Sequence, residues 1–330
     1  HPMHFKLRTA VESNGRLLAR DMECLSINGG YASHGHAVTA NAGAKFRQLY
    51  NQAAIRAKLT TVYTNLPATG AMRGYGTPQA MFALECHMDD LAYELGLDPV
   101  EFRLKNIVAP GYTDPLSGVK AHSNGLRECL LRGRDLIGWE EKRIAAAGQI
   151  GSRRRGVGVA CFTYASGIHP VGLELAGARL VMNEDGSVQL QVGATEIGQG
   201  SDTVFTQMAA DIIGLPAAMV HVVSEQDTDI SPVDLGAYAS RQTYITGMAI
   251  RKAAEEIKIK VLDYACLMTD IPARNMDIAD GWLIYKHNAE PIMTVADVSL
   301  DAHTDLNHAQ PFTADVTNQA RVNAASYGCT

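Results

Sequence analysis

The 330-residue sequence has little of what marks several common functional classes. Aromatic residues make up 6% and charged residues 19%. Lys+Arg 29 against Asp+Glu 35 leaves a formal charge of −6, so the basic balance of a dedicated nucleic-acid binder is missing. No apolar run reaches the roughly 18 residues that a membrane span needs. The six cysteines form no CxxC pair and the eleven histidines no HExxH, which argues against structural zinc, iron–sulfur ligation or a zinc protease site in this chain. Scattered cysteines in a chain of this size read as reduced core residues of a cytoplasmic protein. His34-Gly35-His36 reads as a solvated loop before it reads as a metal pair. The P-loop and the G-x-S-x-G elbow are absent, and Gly156-Val157-Gly158 lacks the third glycine of a dinucleotide fingerprint. The start, His1-Pro2-Met3, is neither an initiator methionine nor a leader, which points to a chain beginning within a longer protein.

Glycine, by contrast, is abundant, with 30 residues in 330 against an average near 7%. It has no period, so it serves turns and close backbone approaches. Asn14-Gly15 joins two alternating segments, 5–12 and 16–25, and predicts a hairpin. Asp185-Gly186 does the same between 178–182 and 187–192. Residues 61–64 and 219–224 read as further strands. Thr77-Pro78 is expected to cap a helix carrying the stripe Met81, Leu84, Met88, Leu91, Leu95, with Gly96 as its stop. Asp98-Pro99-Val100-Glu101 resembles a capping box for a short helix to Asn106. Helices are also expected over 204–213 and from about Arg241 to Leu267. With few clean βαβ repeats, the fold class is α+β, mixed sheets with packed helices. A soft boundary near Ala147–Arg155 divides 1–150 from 151–330.

Three segments share one design: glycine or small residues, one polar side chain, then a helix N-terminus. They are Gly70–Gln79 with Arg73 and Tyr75, Gly193–Ser201 with Gln199, and Gly236–Gln242 with Tyr238, Ala239 and Ser240. Free N–H groups at a helix start favour anions, and a guanidinium or amide suits a phosphate or the edge of a heterocycle. Each segment alone also reads as ordinary turn chemistry. Together they suggest a site for an anionic, heterocyclic ligand.

These residues carry a family resemblance. Ala71-Met-Arg-Gly-Tyr-Gly-Thr-Pro-Gln79 resembles the A-[FMY]-R-G-[FY]-G-x-x-Q segment of xanthine dehydrogenase and aldehyde oxidase relatives, and Glu85–Asn106 is similar to the stretch on the C-terminal side of that segment in the same family. Thr195–Gly200 resembles the family's second molybdopterin-contacting loop, and Gly236–Arg241, with Gly247 beyond it, the third. The resemblance implies a molybdenum hydroxylase. In such an enzyme a pterin dithiolene holds molybdenum without a protein ligand to the metal, and a glutamate acts as base. Oxygen from water enters an electron-poor carbon of an N-heterocycle or aldehyde, and electrons leave through iron–sulfur clusters and FAD.

Carried over by position, the resemblance implies cofactor-binding roles for Arg73, Gly198, Gln199, Ala239, Ser240 and Gln242. Arg73, Tyr75 and Tyr238 are implied at the substrate. An ungapped match puts Asn41 where purine-oxidising relatives have arginine, with Lys45 and Arg47 close by. No catalytic residue is assigned within the chain: the glutamate base is expected downstream of Thr330, and Glu196 matches a non-catalytic glutamate. The first cofactor loop would lie upstream of His1. The expectation is therefore a middle portion of a molybdopterin-binding subunit, an expressed fragment or a split-gene product, inactive alone. It would assemble with the remaining molybdopterin-binding segments and with iron–sulfur and flavin subunits or domains. A module used for docking or assembly, with no cofactor bound, is the alternative.

Overall fold

The computed structural model describes residues 1–330 except 117, 170, 225, 226 and 323. Two compact units are present, His1–Tyr164 together with Ala325–Thr330, and Ala165–Ala324. Among the described residues no helix is long and apolar enough to cross a membrane.

The first unit is built on a three-stranded sheet. Strands β1 (Met3–Val11) and β2 (Leu17–Gly29) form the antiparallel hairpin that Asn14-Gly15 predicts, with Gly15 at φ +87°. Strand β3 (Ala54–Tyr63) extends the strand expected at 61–64 and runs parallel to β2. A parallel neighbour needs a crossover, and helix α1 (Gly35–Gln48), not expected from the sequence, supplies it. Helix α2 (Thr77–Glu94) carries the expected stripe, with Leu84 and Met88 fully buried, and ends before Gly96 at φ +66°. Its N-cap is Gly76 and not Thr77, because Gly76 takes the left-handed turn that starts the helix. Asp98 caps α3 (Pro99–Asn106) by accepting from Val100 N and Glu101 N. The Glu101 carboxylate, however, meets Arg134 on helix α4 (Leu126–Ile137). Short helix α5 (Trp139–Ala146) comes next. Phe46, Leu49, Tyr50, Leu84, Met88, Val100 and Phe102 form the core, each such side chain contributing about 1.5–3 kcal/mol on burial.

One polar knot lies inside this core. The Glu85 carboxylate accepts from Tyr50 Oη at 2.6 Å, Arg103 Nε at 2.8 Å and Cys161 N at 2.7 Å. It thereby ties α2 and α3 to strand β4 (Cys161–Ser166), which pairs with β12 (Ala324–Cys329). Every lone pair used is filled by a donor, which is what makes a buried carboxylate tolerable.

The second unit has a four-stranded sheet in the order β11-β5-β6-β7. Strands β5 (Leu175–Met182) and β6 (Val188–Val192) are the second expected hairpin. Helix α6 (Ser201–Ile213) crosses to β7 (Val220–Val223), parallel to β6. Helix α7 (Gln242–Thr269) packs on this sheet through Ala249, Ile250, Ala253 and Ile257, all fully buried. Strands β8 (Met276–Ala279), β9 (Trp282–Tyr285) and β10 (Pro291–Thr294) form a small antiparallel sheet, followed by α8 (Val295–Thr304) with a complete Thr294/Asp297 capping box. Strand β11 (Thr313–Gln319) closes the large sheet against β5. The class is α+β with mixed sheets, as the sequence predicts.

Candidate cofactor and substrate site

The first helix opening lies in the first unit. Gly74, Tyr75 and Gly76 have φ of +91°, +48° and +84°, three left-handed residues in a row. A Cβ at Gly74 would lie 2.6 Å from Pro78, and one at Gly76 would lie 2.4 Å from Val38 O, so only glycine fits on either side of Tyr75. Tyr75 itself carries the cost of a left-handed L-residue, about 1–2 kcal/mol. It is gripped at both ends: its hydroxyl lies 2.7 Å from His34 Nδ1, and its carbonyl accepts from Asn41 Nδ2 at 2.7 Å. The Arg73 guanidinium beside it is exposed and, among the described residues, has no hydrogen bond or ion pair. His34, weighed from sequence as half of a metal pair, is a partner of Tyr75.

Of the three residues considered for the purine-recognition position, all are engaged within the chain. Asn41 also donates to Thr77 Oγ1 at 3.3 Å. Arg47 pairs with Asp114 at 3.1 Å. Lys45 is buried, bonds to Gln48 Oε1 at 3.0 Å and sits 5.6 Å from the centre of the Tyr164 ring.

The second and third openings belong to the second unit, which brings them together. Gln199 Nε2 donates to Gln242 Oε1 at 2.6 Å, and both side-chain amides donate to Thr195 O, at 3.1 and 3.0 Å. Gln199 Oε1 accepts from Ile197 N at 2.7 Å. These amides are thus held in one orientation, with one lone pair on each of Gln199 Oε1 and Gln242 Oε1 and one hydrogen of Gln242 Nε2 left over. Gly198 and Gly200 have φ of +93° and +82°, and open space lies where a side chain would stand.

Glu196 changes the picture of an anion-ready helix start. Its Oε1 accepts from Gly198 N at 2.7 Å and Gly200 N at 3.1 Å, and its Oε2 from Ser201 Oγ at 3.1 Å and Asp202 N at 3.3 Å. The chain's own carboxylate therefore occupies the N-terminus of α6. The Gly200 N–H, followed by those of Asp202 and Gly198 and the Ser201 hydroxyl, holds this carboxyl down at about 2.

At the third opening no side chain caps α7. Ala239 and Ser240 stand at φ +49° and +53°, consecutive left-handed L-residues, and the Ala239 carbonyl accepts from Gly167 N at 2.8 Å. Among the described residues, three of the six non-glycine residues with positive φ are thus Tyr75, Ala239 and Ser240, all at predicted site positions. Strain of this kind collects at functional sites and persists where the surroundings over-determine it. Here Arg241 does so. Its buried guanidinium binds Glu174 Oε2 at 2.7 Å, Asp234 Oδ1 at 2.6 Å, Leu175 O at 2.6 Å and Gly236 O at 3.2 Å. Tyr238 is 38% exposed, with its ring centre 5.5 Å from the Arg241 guanidinium. Arg241 and Glu196 escape a reading of the sequence as site-building residues because their partners are set by loop geometry.

Two family models, each described as a molybdopterin cofactor-binding domain, match residues 1–107 and 132–330. The chain belongs to this family, the molybdopterin-binding portion of xanthine dehydrogenase-like molybdenum hydroxylases. It is 44% identical over 321 residues to a xanthine dehydrogenase molybdenum-binding subunit of Escherichia coli O157:H7, covering 97% of this chain and 43% of that subunit. In fold it is similar to quinoline 2-oxidoreductase of Pseudomonas putida 86, with a TM-score of 0.85 at 22% identity, over 100% of this chain and 44% of that one. It also resembles aldehyde oxidoreductase of Desulfovibrio gigas, with a TM-score of 0.78 at 25% identity, over 99% of this chain and 34% of that one. The chain spans less than half the length of these relatives.

Proposed function

We propose that this chain contributes the pterin-contacting loops of a molybdenum hydroxylase of the xanthine dehydrogenase type, acting on an N-heterocycle or an aldehyde. The observation that carries the reading is the locked Gln199–Gln242 amide pair, with Gln242 two residues beyond the adjacent left-handed pair Ala239 and Ser240. Fixed amides, glycines with open space where a side chain would stand, and the start of α7 with no side-chain cap suit a flat, polar, phosphate-ended group. In the second unit, Gly198, Gln199, Ala239, Ser240 and Gln242 would hold the pterin, with Tyr238 bordering the substrate. In the first unit, Arg73 would offer its unpaired fork to cofactor or substrate, and Tyr75 an aromatic face to a ring.

The pterin-held molybdenum, when bound, supplies the two-electron redox chemistry. The chain's own residues bind and orient. The general base is assigned to another part of the subunit, and Glu196, the acid within the second opening, is held as an anion by four donors. Iron–sulfur and flavin partners would then carry the electrons away, and the isolated chain would not turn over.

Metal analysis and dye-linked oxidation of N-heterocycles and aldehydes, on this chain and on the complete subunit with its partners, test the proposal. Molybdenum and turnover in the complete enzyme, both strongly reduced by Arg73→Ala or Gln199→Ala, are expected. Turnover by the isolated 330 residues would overturn the division of labour, and a complete subunit without molybdenum would leave only a docking role.

A further inference from the structure

We propose that His34 and Asn41 are positioning residues for Tyr75, fixing the direction of its ring without meeting substrate themselves. The inference rests on the reading of Tyr75 as a substrate contact, and it concerns how that contact is held.

Tyr75 lies between Gly74 and Gly76, both left-handed, in a turn closed by Tyr75 N to Met72 O at 2.8 Å and Thr77 N to Gly74 O at 2.9 Å, which sets the backbone but leaves the direction of the ring open. Two hydrogen bonds repair this from opposite ends of the residue. Asn41 holds the carbonyl at 2.7 Å and the neighbouring Thr77 hydroxyl at 3.3 Å, which commits both hydrogens of its amide. It has no donor left to offer a substrate. His34 holds the phenol at 2.7 Å, with its ring edge-on to Tyr75 at 5.9 Å and 78°. His34 is the N-cap of α1 and Asn41 lies two turns further along it, so one helix fixes both ends of Tyr75. His34 and Tyr75 remain partly open to solvent, where water would serve either group equally well. The structural consequence of the bond is therefore the ring's direction.

The experiment uses the complete subunit with its partners and a dye acceptor, with one N-heterocycle and one aromatic aldehyde as probes. Steady-state kinetics would be measured for His34→Ala, Tyr75→Phe and the double variant, alongside molybdenum content and melting temperature. Each single change is expected to raise KM about three- to tenfold, the scale of one hydrogen bond, with kcat and molybdenum content nearly unchanged. The double variant should be no worse than the poorer single one, because both remove the same bond. Additive effects, or an unchanged KM in His34→Ala, would overturn the role of His34. Asn41→Asp keeps the shape but turns a donor into an acceptor facing a carbonyl. It should raise KM without lowering the melting temperature by more than Asn41→Ala does, and an unchanged KM would overturn the role of Asn41. Tyr75→Ala separates the two levels. If it leaves both kinetic constants unchanged, the substrate role of Tyr75 fails. If it raises KM while His34→Ala does not, the positioning role alone fails.

Discussion

Gln199 Nε2 and Gln242 Oε1 lie 2.6 Å apart, so the loop that opens α6 and the first residue of α7 share a hydrogen bond. Each amide also reaches Thr195 O, so removal of either side chain costs the other one of its bonds and leaves it held less firmly, Gln242 by Thr195 O and Gln199 by Thr195 O and Ile197 N. Gln242 is 7% exposed, and its amide would be left short of a partner, a loss of about 1–3 kcal/mol in local order. Gln199→Ala and Gln242→Ala are therefore each expected to weaken cofactor retention by about tenfold in the complete enzyme. Molybdenum per subunit after gel filtration, read against melting temperature, checks this. Full occupancy in both variants would contradict it.

Arg241 predicts a stability effect of a different size. Its side chain and those of Glu174 and Asp234 are at most 1% exposed, and one guanidinium serves two carboxylates. Arg241→Met would leave both acids buried without a counter-charge, which costs about 3–5 kcal/mol. Arg241→Lys should recover only part of this, because a point charge cannot reach Glu174, Asp234 and two carbonyls together. Urea unfolding midpoints of the three proteins decide the matter, and a Lys variant as stable as the wild type would refute the fork argument.

These residues also mark how far the site is legible in the sequence. The three openings are visible because glycines, a helix start and a polar residue are close in sequence. Arg241 is not, because one of its acids lies 67 residues away and only folding places it there. Glu196 is visible as a residue but not as a cap, since its four donors depend on the turns at Gly198 and Gly200. Helix α1 escapes notice although Val38, Ala42, Phe46 and Leu49 stand at helical spacing. Gly35, Gly43 and Asn41 dilute the pattern, and the parallel pairing of β2 and β3 is what demands a helix there. Strands β8 to β10, four residues each, are too short for a period of two to show.

Glu196 gives a pH-dependent prediction. Its carboxyl is held down at about 2 in the folded chain, below the ordinary 4.5, by the backbone N–H groups it caps. A depressed acid stabilises the fold above the unfolded value, and the benefit is lost as pH falls through the folded one. Glu196→Gln should melt below the wild type at pH 7. The gap between the two should narrow from about pH 4.5 downward and close near pH 2. A gap independent of pH would show that the side chain acts by shape alone.

Lys45 predicts the opposite sign. Burial, aided by Arg47 and opposed by Asp114, pulls its amine from the ordinary 10.5 down to about 8. The folded chain therefore disfavours the charged form that the unfolded chain prefers. The penalty is complete below pH 8, shrinks between 8 and 10.5, and vanishes above. It amounts to at most about 3 kcal/mol at neutral pH. Lys45→Met removes it while losing the Gln48 bond and the contact with the Tyr164 ring, the latter worth about 0.5–2 kcal/mol. The net expectation is a more stable protein at pH 7 and no advantage at pH 10.5. Melting curves across that range test it, and a variant less stable than the wild type at pH 7 would mean that the ammonium is satisfied in place and that its burial costs nothing.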